Sequence, residues 1–274
     1  MRIAIFQMTS GIDPAANAEA LAGAVAEAKA GGADMLFTPE MSGLVDGDRE
    51  RSAPHIRREA DDPALARVRA AAAEAGIWVH LGSVALAEGE GGRRANRAFV
   101  IDDRGHVRVR YDKIHLFDVD LATGESWRES SVYAPGGHAA TAATPWGVLG
   151  LGICYDLRFP DLFRALTNAG ATMLAVPAAF TVPTGEAHWH VMLRARAIES
   201  AAFVIAAAQV GEHEDGRRTY GHSLVVDPWG AILLDMGETR GLGFVDIDPA
   251  AVDAVRARIP VIAHRRPIGP VVNA

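Results

Sequence analysis

Three residues of this chain, Glu40, Lys113 and Cys154, are of types that together perform acyl transfer. A thiol is the nucleophile, a carboxylate moves its proton, and an ammonium balances the negative oxygen of a tetrahedral intermediate. Cys154 is the only cysteine, and it follows the apolar run Val148 to Ile153, short enough for a fully buried strand. Asp156, Arg158 and Pro160 come next, and a helical pattern begins about there. A thiol at such a junction is expected near a helix N-terminus, whose partial positive charge favours thiolate. Pro39-Glu40 ends the strand Asp34 to Thr38, and Lys113 lies just past the strand Val107 to Tyr111. All three therefore stand at or beyond C-terminal strand ends, where open α/β sheets bind ligands. Each has a plainer reading when taken singly. A lone cysteine is more often a small buried hydrophobe, Glu40 a solvated loop residue, and Lys113 an exposed strand-end charge.

Other constellations are weaker. His188-Trp189-His190 places two imidazoles at i and i+2, on different helix faces, whereas helical metal sites use i, i+3 or i+4; with no cysteine pair, no metal is expected. Gly221-His222-Ser223 lacks the second glycine of a serine-hydrolase elbow and precedes a strand. Gly150-x-Gly152 lies inside a strand and lacks the third glycine of a dinucleotide site. A Cys–His pair stays open, since ten histidines are available. Arg194, Arg196 and Glu199 read as a salt-bridged face of one helix. His264-Arg265-Arg266-Pro267 is either a solvated charge run or a docking segment.

The elements that must position these residues follow from periodicity and caps. Ile3 to Phe6 reads as a buried strand; Asp13 caps a helix with Pro14 at its first position, and Gly31-Gly32 stops it. Asp62-Pro63 starts a second helix ending at Gly76, and Ile77 to Leu86 is strand-like. Arg97 to Ile101 and Val107 to Tyr111 flank the hairpin signal Asp103-Arg104-Gly105. Residues 116–138 are expected to be irregular, and loops this long are usually functional or disordered. Beyond Cys154 come helix Asp161 to Ala169, strand Thr172 to Val176, helix His188 to Glu199 and strand Phe203 to Ala208. His222 to Val226 and Ala231 to Asp235 flank a turn, Gly243 to Ile247 is a strand, and Asp248-Pro249 caps a last helix. Crossover helices together with hairpins imply mixed sheets with helices on their outer faces. Without a linker, repeat or low-complexity tract, residues 1–274 are expected to form one α/β domain, with 259–274 as an irregular tail.

The 274 residues are 49% hydrophobic and 22% charged, the composition of an ordinary globular protein. A net charge of −7 argues against a nucleic-acid or acidic-membrane surface. One cysteine forms no internal disulfide, which suits a reducing compartment. The apolar run near Met1 is too short for a signal peptide and no stretch approaches a membrane span, so a cytoplasmic protein is expected.

Three segments are familiar: Pro39-Glu40, Tyr111-Asp112-Lys113-Ile114-His115-Leu116-Phe117, and Gly152-Ile153-Cys154-Tyr155-Asp156-Leu157-Arg158-Phe159-Pro160. Their order and spacing resemble the nitrilase, or carbon–nitrogen hydrolase, superfamily, and the likeness runs almost end to end. Thr184-Gly185-x-x-His188-Trp189, Arg194-Ala195-Arg196-Ala197-Ile198-Glu199, Tyr220-Gly221-His222-Ser223 and Val226-Asp227-Pro228-Trp229-Gly230 point to its Nit subgroup. Ala206-Ala207-Ala208-Gln209, the short polar insert to Arg218 and the His-Arg-Arg-Pro tail resemble the deaminated glutathione amidases of that subgroup more than its ω-amidases.

The resemblance implies a four-layer α-β-β-α sandwich. It implies a homodimer or higher homo-oligomer formed through the helices near 161–169 and 188–199. It also implies a Glu40-Lys113-Cys154 triad, with a second glutamate supporting the lysine. That role falls on Glu129, with Glu125 as its rival, and residues 116–138 become a pocket wall. The reaction it implies is hydrolysis of an amide of a small carboxylate-bearing metabolite through a thioester, without metal or organic cofactor. Tyr155, Arg158 and His188 are the expected substrate contacts. An arginine is the natural clamp for a substrate carboxylate, with Arg158, Arg194 and Arg217 as candidates. A true nitrilase would use the same triad, and a non-catalytic interaction protein is the alternative from another class.

Overall fold

Along the first strand, β1 (Arg2–Gln7), Ile3 and Ile5 point to one side and Ala4 to the other, the two-residue period of a pleated strand. Ile3 and Ile5 join one apolar cluster and Ala4 a second, so both faces of this strand are buried. The computed structural model describes residues 1–120, 124 and 126–272. After β1 come α1 (Pro14–Ala30), β2 (Met35–Phe37), the single turn α2 (Arg49–Ser52), α3 (Pro63–Ala75), β3 (Trp78–Leu86), β4 (Ala95–Ile101) and β5 (Val107–Asp112). The short strands β6 (Asp118–Asp120) and β7 (Ser126–Arg128) precede β8 (Ala140–Thr144), β9 (Gly147–Leu151), α4 (Pro160–Asn168), β10 (Met173–Ala175) and α5 (Val182–Ser200). The chain closes with β11 (Phe203–Ala206), β12 (Val210–Glu212), β13 (Arg218–Tyr220), β14 (Leu224–Val226), β15 (Ile232–Asp235), β16 (Gly241–Asp246) and α6 (Ala250–Arg258).

Two six-stranded mixed sheets result, ordered β16-β1-β2-β3-β4-β5 and β15-β14-β11-β10-β9-β8. In each, three central strands run parallel: β1, β2 and β3 in the first sheet, and β9, β10 and β11 in the second. Ile3, Phe37 and Val100 of the first sheet meet Leu149, Leu151 and Ile205 of the second in a shared core. Leu36, Val79 and Phe99 face the other way, onto Leu21 and Val25 of α1 and Leu65 and Val68 of α3. Phe163, Leu166 and Leu193 bring α4 and α5 onto the outside of the second sheet. The architecture is the four-layer α-β-β-α sandwich.

The caps work as their chemistry requires. Asp13 accepts the Ala15 N–H at 2.9 Å, Asp62 accepts the Leu65 N–H at 2.8 Å, and Gly76 ends α3 with φ 62°. Three expectations need correction. Residues 116–138 are not wholly irregular, because β6 pairs with β7 and Glu129–Ser131 forms a 3-10 turn; Glu125 lies outside the described residues. The strand before the cysteine stops at Leu151 and Cys154–Arg158 is a 3-10 turn, while the helix expected from Asp161 begins at Pro160. Finally, α5 begins at Val182, six residues before His188, since Thr181 is extended and Pro183 suits the first helical turn. Among the described residues no helix is long and apolar enough to cross a membrane.

His80 of β3 is buried, packs 5.6 Å from Phe37, and has no partner for its Nε2 among the described residues. Burial pushes its pKa down to about 3 from the usual 6.5. The unfolded chain therefore binds a proton that the folded chain refuses, and stability falls as pH drops from 6.5 towards 3. Denaturation at pH 6.5 and at about pH 4 should differ by roughly 3 kcal/mol more in the parent than in His80→Leu. Equal acid sensitivity of the two would sink this account.

Candidate active site

Glu40, Lys113, Glu129 and Cys154 converge on one cavity of about 340 Å³. Pro39 follows β2 and leads into Glu40, whose backbone carbonyl accepts from the Gln209 side-chain amide at 2.9 Å. Gly82 must be glycine to let this turn approach, because a Cβ there would lie 2.0 Å from the Thr38 carbonyl oxygen. Lys113 follows β5 directly, and its N–H donates to the Asn96 carbonyl at 2.9 Å.

The lysine is almost wholly buried at 2% exposure and sits between two carboxylates. Its Nζ is 2.9 Å from Glu40 Oε1 and 2.8 Å from Glu129 Oε2. Burial opposes the charge on Lys113, but Glu129 and then Glu40 outweigh it and hold its pKa well above the lysine range. Asn96 completes the cluster by donating to Glu40 Oε1 at 2.9 Å and Glu129 Oε1 at 3.3 Å. The second glutamate is itself fixed by the Phe117 N–H, 2.7 Å from Oε2.

Cys154 enters from the second sheet. Its N–H donates to the Pro177 carbonyl at 2.9 Å and its φ is 50°, in the left-handed region. Met41, directly after Glu40, has φ 56°. Non-glycine residues there cost of order 1–3 kcal/mol, and such outliers gather at functional sites. The turn is tied down by Asp156, fully buried, which accepts from Ile153 N (2.9 Å), Tyr111 Oη (2.7 Å) and His115 N (3.0 Å). One carboxylate thus links the cysteine turn to the β5 end that carries Lys113. Burial first, then the Glu40 charge, push the Cys154 thiol well above its ordinary range; Lys113 offsets only part of this. Burial and Glu40 thus work against the thiolate that a helix N-terminus would favour, while Lys113 works for it. Glu40 is within hydrogen-bonding reach of it, and the Ala179 N–H faces both the sulfur and Glu40 Oε2, the latter at 3.0 Å. A poised carboxylate, a buried ammonium and a thiol on a strained turn can perform acyl transfer with proton relay.

The remaining expected residues divide. Tyr155 and Arg158 line the cavity, with the guanidinium 5.7 Å from the Tyr155 and Phe180 ring centres. His188 is not part of the lining; its Nδ1 contacts both Arg158 terminal nitrogens at 3.3 Å. Arg217 lines the cavity, whereas Arg194 donates to the Gly230 carbonyl and lies outside it. His190 turns away from His188 to meet Asp235, which also holds His222, each at 2.9 Å. These three are the one group among the described residues with ligand atoms close enough for a metal, within 4.8 Å of one another, and none lines the cavity.

Known proteins share this arrangement of chain. The carbon–nitrogen hydrolase family profile matches residues 2–257. A protein of Yersinia enterocolitica named deaminated glutathione amidase is 38% identical over 96% of this chain and 92% of its own. The Caenorhabditis elegans NitFhit structure superposes with a TM-score of 0.86 at 37% identity, covering 97% of this chain and 65% of that longer one. An amidase from Nesterenkonia sp. gives 0.79 at 30% identity, covering 95% of both chains. This chain belongs to the carbon–nitrogen hydrolase family, within its nitrilase superfamily.

Proposed function

We propose that this carbon–nitrogen hydrolase is an amidase for deaminated glutathione, acting through Cys154. The observation that carries the reading is Lys113, buried and clamped between Glu40 and Glu129 beside the thiol. Relatives named for that substrate supply the choice among amides. Glu40 takes the thiol proton as sulfur bonds to the amide carbon, and Lys113 with the Tyr155 N–H receives the oxyanion. The C–N bond breaks as Glu40 returns the proton to nitrogen, releasing cysteinylglycine and leaving a thioester. Water then gives a proton to Glu40 and attacks; the C–S bond breaks, sulfur recovers that proton, and α-ketoglutarate leaves. Glu129 holds Lys113 in place. Arg158 receives the keto-acid carboxylate, and His188 supports it from behind.

In this reading residues 1–274 are one hydrolase domain with 259–274 as a tail, working in the cytoplasm without nucleic-acid or membrane partners. The chain forms a homodimer or higher homo-oligomer through the α4–α5 face, where Val191 and Ile198 are exposed. Purified protein should release cysteinylglycine from deaminated glutathione faster than ammonia from α-ketoglutaramate, and Cys154→Ala should abolish both while keeping the fold. The reverse preference would make it an ω-amidase. Substantial turnover by Cys154→Ala would remove the thioester route.

A further inference from the structure

The cavity carries more positive charge than its own acids neutralise. Of the lining carboxylates, Glu40 and Glu129 are taken by Lys113, and Asp46 by Arg51 at 2.7 Å. Arg128 has Asp120 at 2.8 Å. Arg49 and Arg94 also line the cavity and donate to the Ser131 and Ser52 hydroxyls; Arg217 differs in what holds it. It stands in the turn between β12 and β13, fixed by its own N–H to Asp215 Oδ1 (3.0 Å) and its carbonyl to the His213 N–H (2.8 Å). Its guanidinium lies 4.7 Å from the centre of the Trp127 ring, which also lines the cavity. A terminal nitrogen is 3.7 Å from Asp215, a carboxylate already engaged by the Gly47 N–H at 2.7 Å. The Arg217 Nε is buried and has no hydrogen-bond partner among the described residues. Burial of the Nε leaves the outer part of the guanidinium as the portion that faces the cavity.

We propose that Arg217 is a specificity-determining residue that binds a terminal carboxylate on the leaving amine of the substrate. This rests on the amidase reading above. A guanidinium's terminal nitrogens donate charge-assisted hydrogen bonds to a carboxylate, and the indole beside it holds the cation in place. Arg158 packs on Tyr155 and Phe180, whereas Arg217 packs on Trp127, so the two cations are held by different walls of one cavity. A substrate with one carboxylate on the acyl part and another on the departing amine meets both. The turn bearing Arg217 is the polar segment after Gln209, so this insertion carries a substrate-reading function.

The test compares deaminated glutathione with its C-terminal carboxamide in the parent and in Arg217→Gln. The parent should prefer the acid by roughly 30-fold in kcat/KM, expressed in KM, the scale of a charge-assisted hydrogen-bonded pair. In Arg217→Gln that ratio should collapse to about 1. Both substrates meet the same protein sample, so partial misfolding cancels from the ratio. Hydrolysis of both with the parental ratio intact would overturn the Arg217 assignment and leave the amidase reading standing. Hydrolysis of neither by the parent would overturn the amidase reading, and this assignment with it.

Discussion

Lys113→Met is expected to lower the unfolding free energy by about 3–5 kcal/mol and to remove nearly all turnover. The methionine fills similar space, but Glu40 and Glu129 would then keep only neutral donors, the Asn96 amide between them and the Ala179 and Phe117 N–H groups. Two carboxylates cannot both stay ionised there, so one takes up a proton. A carboxyl whose folded pKa is raised loses stability as pH rises, so the deficit should be larger at about pH 7.5 than at about pH 5. In the parent the lysine pKa is held above its ordinary value. Its stabilisation is therefore complete at neutral pH and is lost only in alkali beyond the lysine range. Denaturant melts of both proteins at the two pH values would decide it. A variant as stable as the parent would show that Lys113 does not hold the cluster together.

Glu40→Gln should separate thiol ionisation from catalysis. The isosteric amide keeps an oxygen towards Lys113 and Asn96 but turns an NH₂ towards the Ala179 N–H, losing one acceptor. With no proton carrier, kcat should fall by roughly 10³-fold, within the range of general-base removal. The Glu40 charge is, after burial, the main influence pushing the Cys154 thiol up. Removing it should move the pH dependence of Cys154 alkylation by iodoacetamide to lower pH. The variant would thus be a better alkylation target and a poorer amidase. If alkylation stayed at the parental pH while turnover fell, Glu40 would not be acting on the thiol through its charge.

Much of the candidate site was legible because Glu40, Lys113 and Cys154 each follow a punctuated strand. Pro39 after Met35–Phe37 announces the position of Glu40, and the hairpin around Gly105 announces that of Lys113. The apolar run before Cys154 does the same for the nucleophile. Asn96 was not legible: Arg94-Ala95-Asn96-Arg97 reads as the end of a charged loop. The carboxylates that engage it lie 56 and 33 residues away in sequence. Asp156 was visible only as a polar residue after the cysteine, since its partners Tyr111 and His115 come from the other sheet. The opposition between Lys113 and burial near Glu40 at the thiol follows from the residue types, but the balance between them depends on distances that a sequence does not hold. The early part of α5 was hidden by Pro183 and Gly185, which in isolation read as a turn.

The Asp156 clamp has a consequence for the history of each molecule. Glu40 and Lys113 belong to the first half of the chain, while Cys154 and the Ala179 N–H belong to the second. A growing polypeptide that has completed β1 to β5 holds the acid and the ammonium but no nucleophile. In the proposed mechanism, the hydrolytic centre comes into being only when the second sheet docks and Asp156 closes onto Tyr111 and His115. Appearance of amide hydrolysis during refolding would therefore clock the docking of the two halves, and a half-made chain carries no premature reactivity.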